Sequence, residues 1–420
     1  SLNDAGTMRI DALNAEVIAS KQLFETPEIL KILFRGTKAD FGIVERLRSH
    51  GHPTLDAFWR DAIGVSPGGQ LKGSGNGYQK LRPSSRIRRQ GDGLPGEDAR
   101  ALHGLSEITA ATFASIAIDH DRLSPFTQER VHHLRSRAIY SGPLIVVHEA
   151  PPVLTGRIGV AISEKDVAFN QSFYGYSPSG FPEAHLLVRY LALVLGSELA
   201  VWIALMTSGR FGVEREVVEK STLDRIPLPD FRVLSRSQKD ELLTLFDGLQ
   251  RGDVAWNEVD RWVAELYGLG PRDLQVISDT LEFNLPFAHS KREAQAIPTD
   301  HEQARFCKVL ESELAPWCAR FNTKIAVRPV RQPTISPWHG IEVRTAPDGG
   351  SLSPDPRDWE GLLRVADDAA ASEVVLRDGD EGLLIGRLAQ RRYWSETQAR
   401  LLAQRIIWSH LDLFKVQGRA

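Results

Sequence analysis

Few residues in this 420-residue chain stand at spacings that do covalent chemistry. There is no HExxH pair, no serine elbow and no cysteine paired with a histidine as a nucleophile. Asp355 and Glu373 fall where two carboxylates could hold Mg²⁺. Glu373-Val374-Val375, however, lacks the lysine that a nuclease of that type needs. His132-His133 reads as helix surface rather than as a ligand pair. Cys307 and Cys318 are separated by ten residues, which fits neither a zinc pair nor a CxxC motif. Both read as buried thiols in a reducing compartment.

The sequence does carry a grip for a polyanion. The stretch 65–96 is rich in Gly, Ser and Pro. It holds Lys72, Lys80, Arg82, Arg86, Arg88 and Arg89, with no acid between positions 72 and 89. Cations on a loop reach across a groove to phosphates and set register on a duplex. Tyr78, within the run, is placed to stack or to touch a phosphate. The cluster Gly73-Ser74-Gly75-Asn76-Gly77 neither follows an apolar strand nor opens a helix, so it reads as a flexible loop and not as a phosphate cradle. A second candidate is the turn 208–215, where Ser208, Arg210 and Arg215 sit close together. Its arginines could meet phosphate or a guanine edge; Glu214 and Arg215 could equally form a structural ion pair. A third is the strand edge at Asn170, Ser172 and Tyr174, with Lys165 in the turn before it. Arg387, Arg391, Arg392, Arg400 and Arg405 read as a solvated basic face or a partner surface.

Elements that would position these residues follow from periodicity. Ala12–Leu33, Asp40–Ser49 and Thr54–Ile63 read as helices, with Thr26 capping the second half of the first and Pro27 following it. Leu144–Val147 is a short buried strand. Arg157–Ile162 and Val167–Phe173 look like a hairpin. Leu186–Met206 has helical length and almost no polar face, so it belongs in a core; Arg189 and Glu198 argue against a membrane span. Ser235–Gly248, Trp256–Tyr267 and Pro271–Leu281 are amphipathic helices, and 290–300 is a polar linker. Beyond it come a helix (301–322), strands at 325–330 and 338–344, a loop at 349–358, a hairpin at 373–385 and a closing helix. The expected class is α+β. The expected parts are a helical connector (1–64), a mixed domain with a curled sheet (65–232), a helical spacer (233–290) and a small α+β domain (299–420). Apolar residues make up 42% of the chain and charged residues 25%, ordinary for a globular protein. The net charge of −3 gives no global sign of a nucleic-acid partner. No apolar leader is visible, so cytoplasm is the expected compartment.

At Val167–Tyr176 (VAFNQSFYGY), Leu191–Ala200 (LALVLGSELA), Met206–Val218 (MTSGRFGVEREVV) and Leu223–Phe231 (LDRIPLPDF) the chain resembles the target-recognition region of N6-adenine DNA methyltransferases. The similarity is to the type IIG fused-specificity kind and, more loosely, to type I specificity subunits. Ile32–Trp59 resembles the connector, and Ala255–Phe283 the spacer helices. The resemblance runs from roughly Leu23 to Pro286. It implies that this region reads double-stranded DNA and does no chemistry. A turn of the 208–215 type lies in that family close to the DNA or braces the loops that touch it. Methyl transfer would belong to a methyltransferase domain or partner subunit, together with S-adenosylmethionine and Mg²⁺. The residues agree. The one Pro-Pro pair, Ala150-Pro151-Pro152-Val153, lacks the aromatic residue after it and the Asp, Asn or Ser before it that would hold a flipped adenine. No catalytic residue and no cofactor is expected in this chain. The alternative is a non-catalytic protein–protein adaptor on a recognition-like fold.

Overall fold

The computed structural model describes residues 17–81, 96–114, 116–213, 216–330, 337–347 and 372–415. Helices and several small open sheets combine in an α+β fold, as expected. The chain divides into two compact units. One comprises Lys31–Leu281 with Leu285–Phe287. The other comprises Ser1–Leu30, Glu282–Asn284 and Ala288–Ala420.

Among the described residues four helices come first: α1 (Ser20–Glu25), α2 (Ile29–Arg35), α3 (Lys38–Ser49) and α4 (Leu55–Ala62). The single helix expected to end near Leu33 is parted at Thr26-Pro27, because a residue before proline avoids the helical region. Thr37 and Asp40 cap α3 reciprocally, and Thr54 caps α4. Short strands follow among the described residues: β1 (Ser74–Asn76), β2 (Glu97–Asp98), β3 (Ser106–Ile108), β4 (Ile116–Ala117), β5 (Ser124–Pro125), β6 (Arg130–Val131), β7 (Leu144–His148), β8 (Val160–Ser163), β9 (Val167–Phe169) and β10 (Phe173–Tyr176). The main sheet has the order β1-β10-β7-β8-β4, antiparallel except where β4 joins β8. Alternation along β7 divides its side chains between two cores. Ile145 and Val147 join the helices, while Leu144 and Val146 face a second layer with the sheet β5-β3-β9.

Three expectations are corrected here. β8 and β9 are not a hairpin: β8 pairs with β7 and β4, and β9 pairs in parallel with β3 in another sheet. The expected strand 167–173 turns at 170–172 into β10. The glycine cluster is also no loose loop. It forms β1, the edge strand beside β10, in close backbone contact. A Cβ on Gly73 would lie 2.3 Å from the Ser177 carbonyl oxygen, and one on Gly77 would lie 2.1 Å from that of Phe169. The glycines serve close packing here, not looseness.

Against the sheet lie α5 (Ala184–Gly196) and α6 (Glu198–Thr207), followed by α7 (Lys220–Asp224), α8 (Arg236–Arg251), α9 (Trp256–Leu266) and α10 (Pro271–Asn284). The apolar run expected as one helix bends by 60° at Ser197. The Ser197 hydroxyl donates to the Val194 carbonyl (2.7 Å) and accepts from the Ala200 amide, so it ends one helix and caps the next. Asp260 accepts the Glu198 amide at 2.9 Å and pairs with Arg157, which stacks on Trp256. No single helix among the described residues is long and apolar enough to cross a membrane. Most of α5 and α6 is buried core, and each large aliphatic side chain fully removed from water contributes about 1.5–3 kcal/mol. Connector, sheet and spacer, expected as separate parts, share this core: Ile43, Trp59, Val147, Leu193, Leu242, Val263 and Ile277 belong to one cluster.

Asp40 joins the parts electrostatically. One carboxylate oxygen accepts from the Thr37 amide and hydroxyl (2.7 and 2.8 Å). The other accepts from Trp202 Nε1 (2.8 Å) on α6 and the Thr280 hydroxyl (2.7 Å) on α10. Burial pushes its pKa up, against hydrogen bonds that favour the ionised form.

The other unit contains α11 (Ala288–Gln295), where a polar linker was expected, then α12 (Asp300–Arg320), β11 (Thr323–Val330), β12 (Trp338–Pro347), β13 (Glu373–Asp378), β14 (Gly382–Leu388) and α13 (Glu396–Ser409). Its antiparallel sheet has the order β11-β12-β14-β13, and α12 and α13 complete its core. The expected loop at 349–358 lies outside the described residues. The basic face expected near the C-terminus is only partly a face. Arg387 is 2% exposed and stacked on Phe306, and Arg391 is gripped by Glu282, Glu293 and Glu302.

Replacing Asp40 by Ala strands the Trp202, Thr280 and Thr37 donors in the core. It should cost about 3–5 kcal/mol in urea unfolding, because each buried unpaired polar group costs about 1–3 kcal/mol. A loss below about 1 kcal/mol would contradict the joining role.

Candidate nucleic-acid interface

The residues expected to meet a polyanion divide in three. Arg82, Arg86, Arg88, Arg89 and Arg215 lie outside the described residues. Lys72, Lys80, Lys165 and Arg210 are exposed. Tyr78, Asn170, Ser172 and Ser208 have structural work that accounts for them.

Tyr78 is the clearest correction. It is fully buried, with its ring edge-on to Phe126 at 5.2 Å. Its hydroxyl donates to Glu107 and accepts from Gln128 Nε2 at 2.8 Å. Burial, then the Glu107 carboxylate, pushes its pKa upward. A ring so placed cannot stack on a base. Asn170 makes the turn between β9 and β10: its side-chain oxygen accepts the Ser172 amide at 2.9 Å, and its carbonyl accepts the Phe173 amide. Ser208 is buried, and its hydroxyl accepts the amides of Arg210 (3.2 Å) and Phe211 (3.0 Å). Arg210 is half-exposed and 3.2 Å from Glu219. Lys72 has an exposed side chain, and its own backbone carbonyl accepts from Trp59 Nε1 at 2.8 Å.

The stems of the basic loop are tightly fixed. Gln79 exchanges both backbone hydrogen bonds with His132 (2.9 and 2.8 Å). Glu97 and Asp98 pair with Val131 and Arg130. Both stems therefore run beside the segment 130–132. They also approach each other, since a Cβ on Gly96 would meet Leu81 Cδ2 at 2.7 Å and the Val131 carbonyl at 2.8 Å. Arg130 donates to the Gly96 carbonyl (Nε at 2.8 Å). The described residues on either side of 82–95 are thus held at one place, beside Lys80.

That place has cations that sequence reading passed over. The run Arg130-Val131-His132-His133-Leu134-Arg135-Ser136-Arg137 holds three arginines and two histidines with no acid. Assigning His132-His133 to a helix face hid it. The segment is instead a strand, a bridge and a turn, with His133 at φ 46°. The absence of acid over eight residues was a signal of the same kind as in 72–89. Arg137 is tied to Asp166 at 2.9 Å, which also accepts the Gly142 amide. The neighbouring Lys165 is exposed in the β8–β9 turn. Acids dilute the patch: Glu107 lies 3.6 Å from Lys80, and Glu97 accepts the Leu134 amide.

Asn170 and Ser172 connect to the second basic turn through the backbone. The Ser172 carbonyl accepts the Glu149 amide, the Glu149 carbonyl accepts the Val218 amide, and the adjoining Glu219 pairs with Arg210. The loop stems reach the same strand end, because Tyr78 bridges Asn170.

Among the described residues no three His, Cys, Asp or Glu side chains are placed to hold a metal ion. Glu373, considered above as a metal ligand, pairs with Arg387 at 3.1 Å and Arg405 at 2.6 Å. Asp355 lies outside the described residues. The chain matches no protein-family model and no curated protein.

Tyr78→Phe should cost about 1–2 kcal/mol in thermal or urea unfolding, by leaving Gln128 and Glu107 short of a partner. DNA affinity should be unchanged. A loss of affinity without a loss of stability would restore Tyr78 to the interface.

Proposed function

We propose that this chain is a DNA-sequence-recognition module, the non-catalytic part of an N6-adenine DNA methyltransferase of a restriction–modification or phage-defence system. The observation that carries the reading is that Gln79 and Glu97–Asp98, on either side of residues 82–95, both pair with the acid-free basic segment 130–132. A duplex would be held by phosphate contacts from the basic loop, Lys80 and Arg135. The edge through Asn170 and Ser172 to Arg210 would then lie along it. Phosphate contacts of this kind hold register, while a few side chains reaching base edges give specificity. Methyl transfer and its donor would be supplied by a methyltransferase domain or subunit.

One observation favours a second reading, a protein–protein adaptor. Lys80, Arg137 and Arg210 already face acids, so part of the local positive charge is internally balanced. A surface of balanced pairs suits a mixed-charge protein partner better than a phosphate backbone.

Binding to mixed-sequence duplex DNA over a salt series separates the two. The DNA reading expects log K to fall linearly with log salt, with a slope near −0.9 per phosphate contact. The triple change Arg86→Ala, Arg88→Ala, Arg89→Ala should flatten that slope by about 2–3, and Arg135→Ala by about 1. A folded chain that does not bind at low salt would favour the adaptor.

A further inference from the structure

The turn after α6 is held from below by two cations of α2. Lys31 Nζ donates to the carbonyl of Ser208 and, at 2.8 Å, to that of Phe211. Arg35, one turn further along α2, donates through Nη2 to the carbonyl of Gly212. The end of α6 leaves carbonyls without helical partners, and a helix C-terminus carries partial negative charge. Two basic side chains are therefore well matched to it. Inside the turn the Ser208 hydroxyl accepts the Arg210 and Phe211 amides, and the Val213 amide closes onto the Arg210 carbonyl at 2.9 Å. Phe211 is fully buried beneath, whereas Arg210 and Val213 face out. Gly212 has φ 79°, and a Cβ there would meet Leu205 at 2.8 Å, so the chain has no slack at that point.

The arrangement is more than a helix cap. An ammonium drawn largely out of water onto carbonyl oxygens is costly to hold, and burial, then Arg35, lowers the Lys31 pKa to about 8. A neutral side chain would pack there at lower cost. What the charge adds is a common anchor for carbonyls three residues apart, on either side of Arg210, whose guanidinium is half-exposed beside Glu219.

We propose that Lys31 is a positioning residue for this turn: its ammonium ties the Ser208 and Phe211 carbonyls together and so fixes where Arg210 is presented to a DNA phosphate. Lys31 need not touch DNA itself. The functional half of the statement rests on the DNA-recognition reading; the geometric half does not.

The test compares Lys31→Met and Lys31→Arg in the full chain. Amide hydrogen exchange at Arg210 and Phe211 should quicken about tenfold or more in Lys31→Met, the scale of losing hydrogen bonds from a charged group, and should recover in Lys31→Arg. Unchanged exchange at these two amides in a folded Lys31→Met protein would overturn the proposal. If that variant fails to fold, Lys31→Gln, which keeps donors but not charge, is read the same way. The second readout is affinity for a mixed-sequence duplex. Lys31→Met should weaken binding as much as Arg210→Ala does, with no further loss in the double variant. Additive losses would overturn the positioning role. If the unaltered chain does not bind the duplex, the DNA reading fails, and exchange alone decides the role of Lys31.

Discussion

The carboxylate of Asp40 is the constraint on which the larger unit depends. It is buried, and it is satisfied only when three distant parts of the chain are in place: the α3 cap at Thr37, Trp202 on α6 and Thr280 on α10. A carboxylate without those donors would be far too costly to leave inside a core. The apolar mass of α5 and α6 supplies most of the driving force, but burial is not directional. Asp40 selects among the ways in which connector and spacer helices could cover that mass. Arg157 and Asp260 do similar work at the bend, where Asp260 takes up the first amide of α6.

The sheet and the second layer rest on this frame. β7 divides its residues between two cores, so the helices on one face fix the position of β3, β5 and β9 on the other. The residues that look chemical in the sequence are therefore largely structural. Tyr78, Asn170 and Ser208 each complete a local hydrogen-bond set. What remains for a partner is the exposed edge: Lys72, Lys80, Arg135, Lys165 and the stems from which the basic loop departs.

Local signals were well legible in the sequence. The helices that begin at Thr54 and Ser235, the buried strand at 144–147 and the hairpin of β13 and β14 stand where periodicity and turn residues put them. Non-local choices were not. Nothing in Ser163–Asp166 reveals that β8 and β9 join different sheets, because their partners are far away in the chain. The bend at Ser197 was hidden by continuous apolarity, since Asp260, 63 residues on, helps to hold it. The glycines of 73–77 resembled a loop because local reading cannot see the carbonyls of Phe169 and Ser177 that exclude a Cβ. On the site, the basic loop stood out by charge alone. The equally acid-free run 130–137 was passed over because two adjacent histidines suggested a helix.

The DNA reading requires that the face formed by Gln79, Lys80, Glu97–Asp98 and the segment 130–137 is the face that meets DNA. The most direct measurement is hydrogen–deuterium exchange of the full chain with and without a mixed-sequence duplex at low salt. The account predicts slowed exchange on DNA addition in peptides spanning 79–98 and 130–137, with the 300–415 region unchanged. Bound duplex with no protection at either segment, or protection confined to the C-terminal unit, would contradict it.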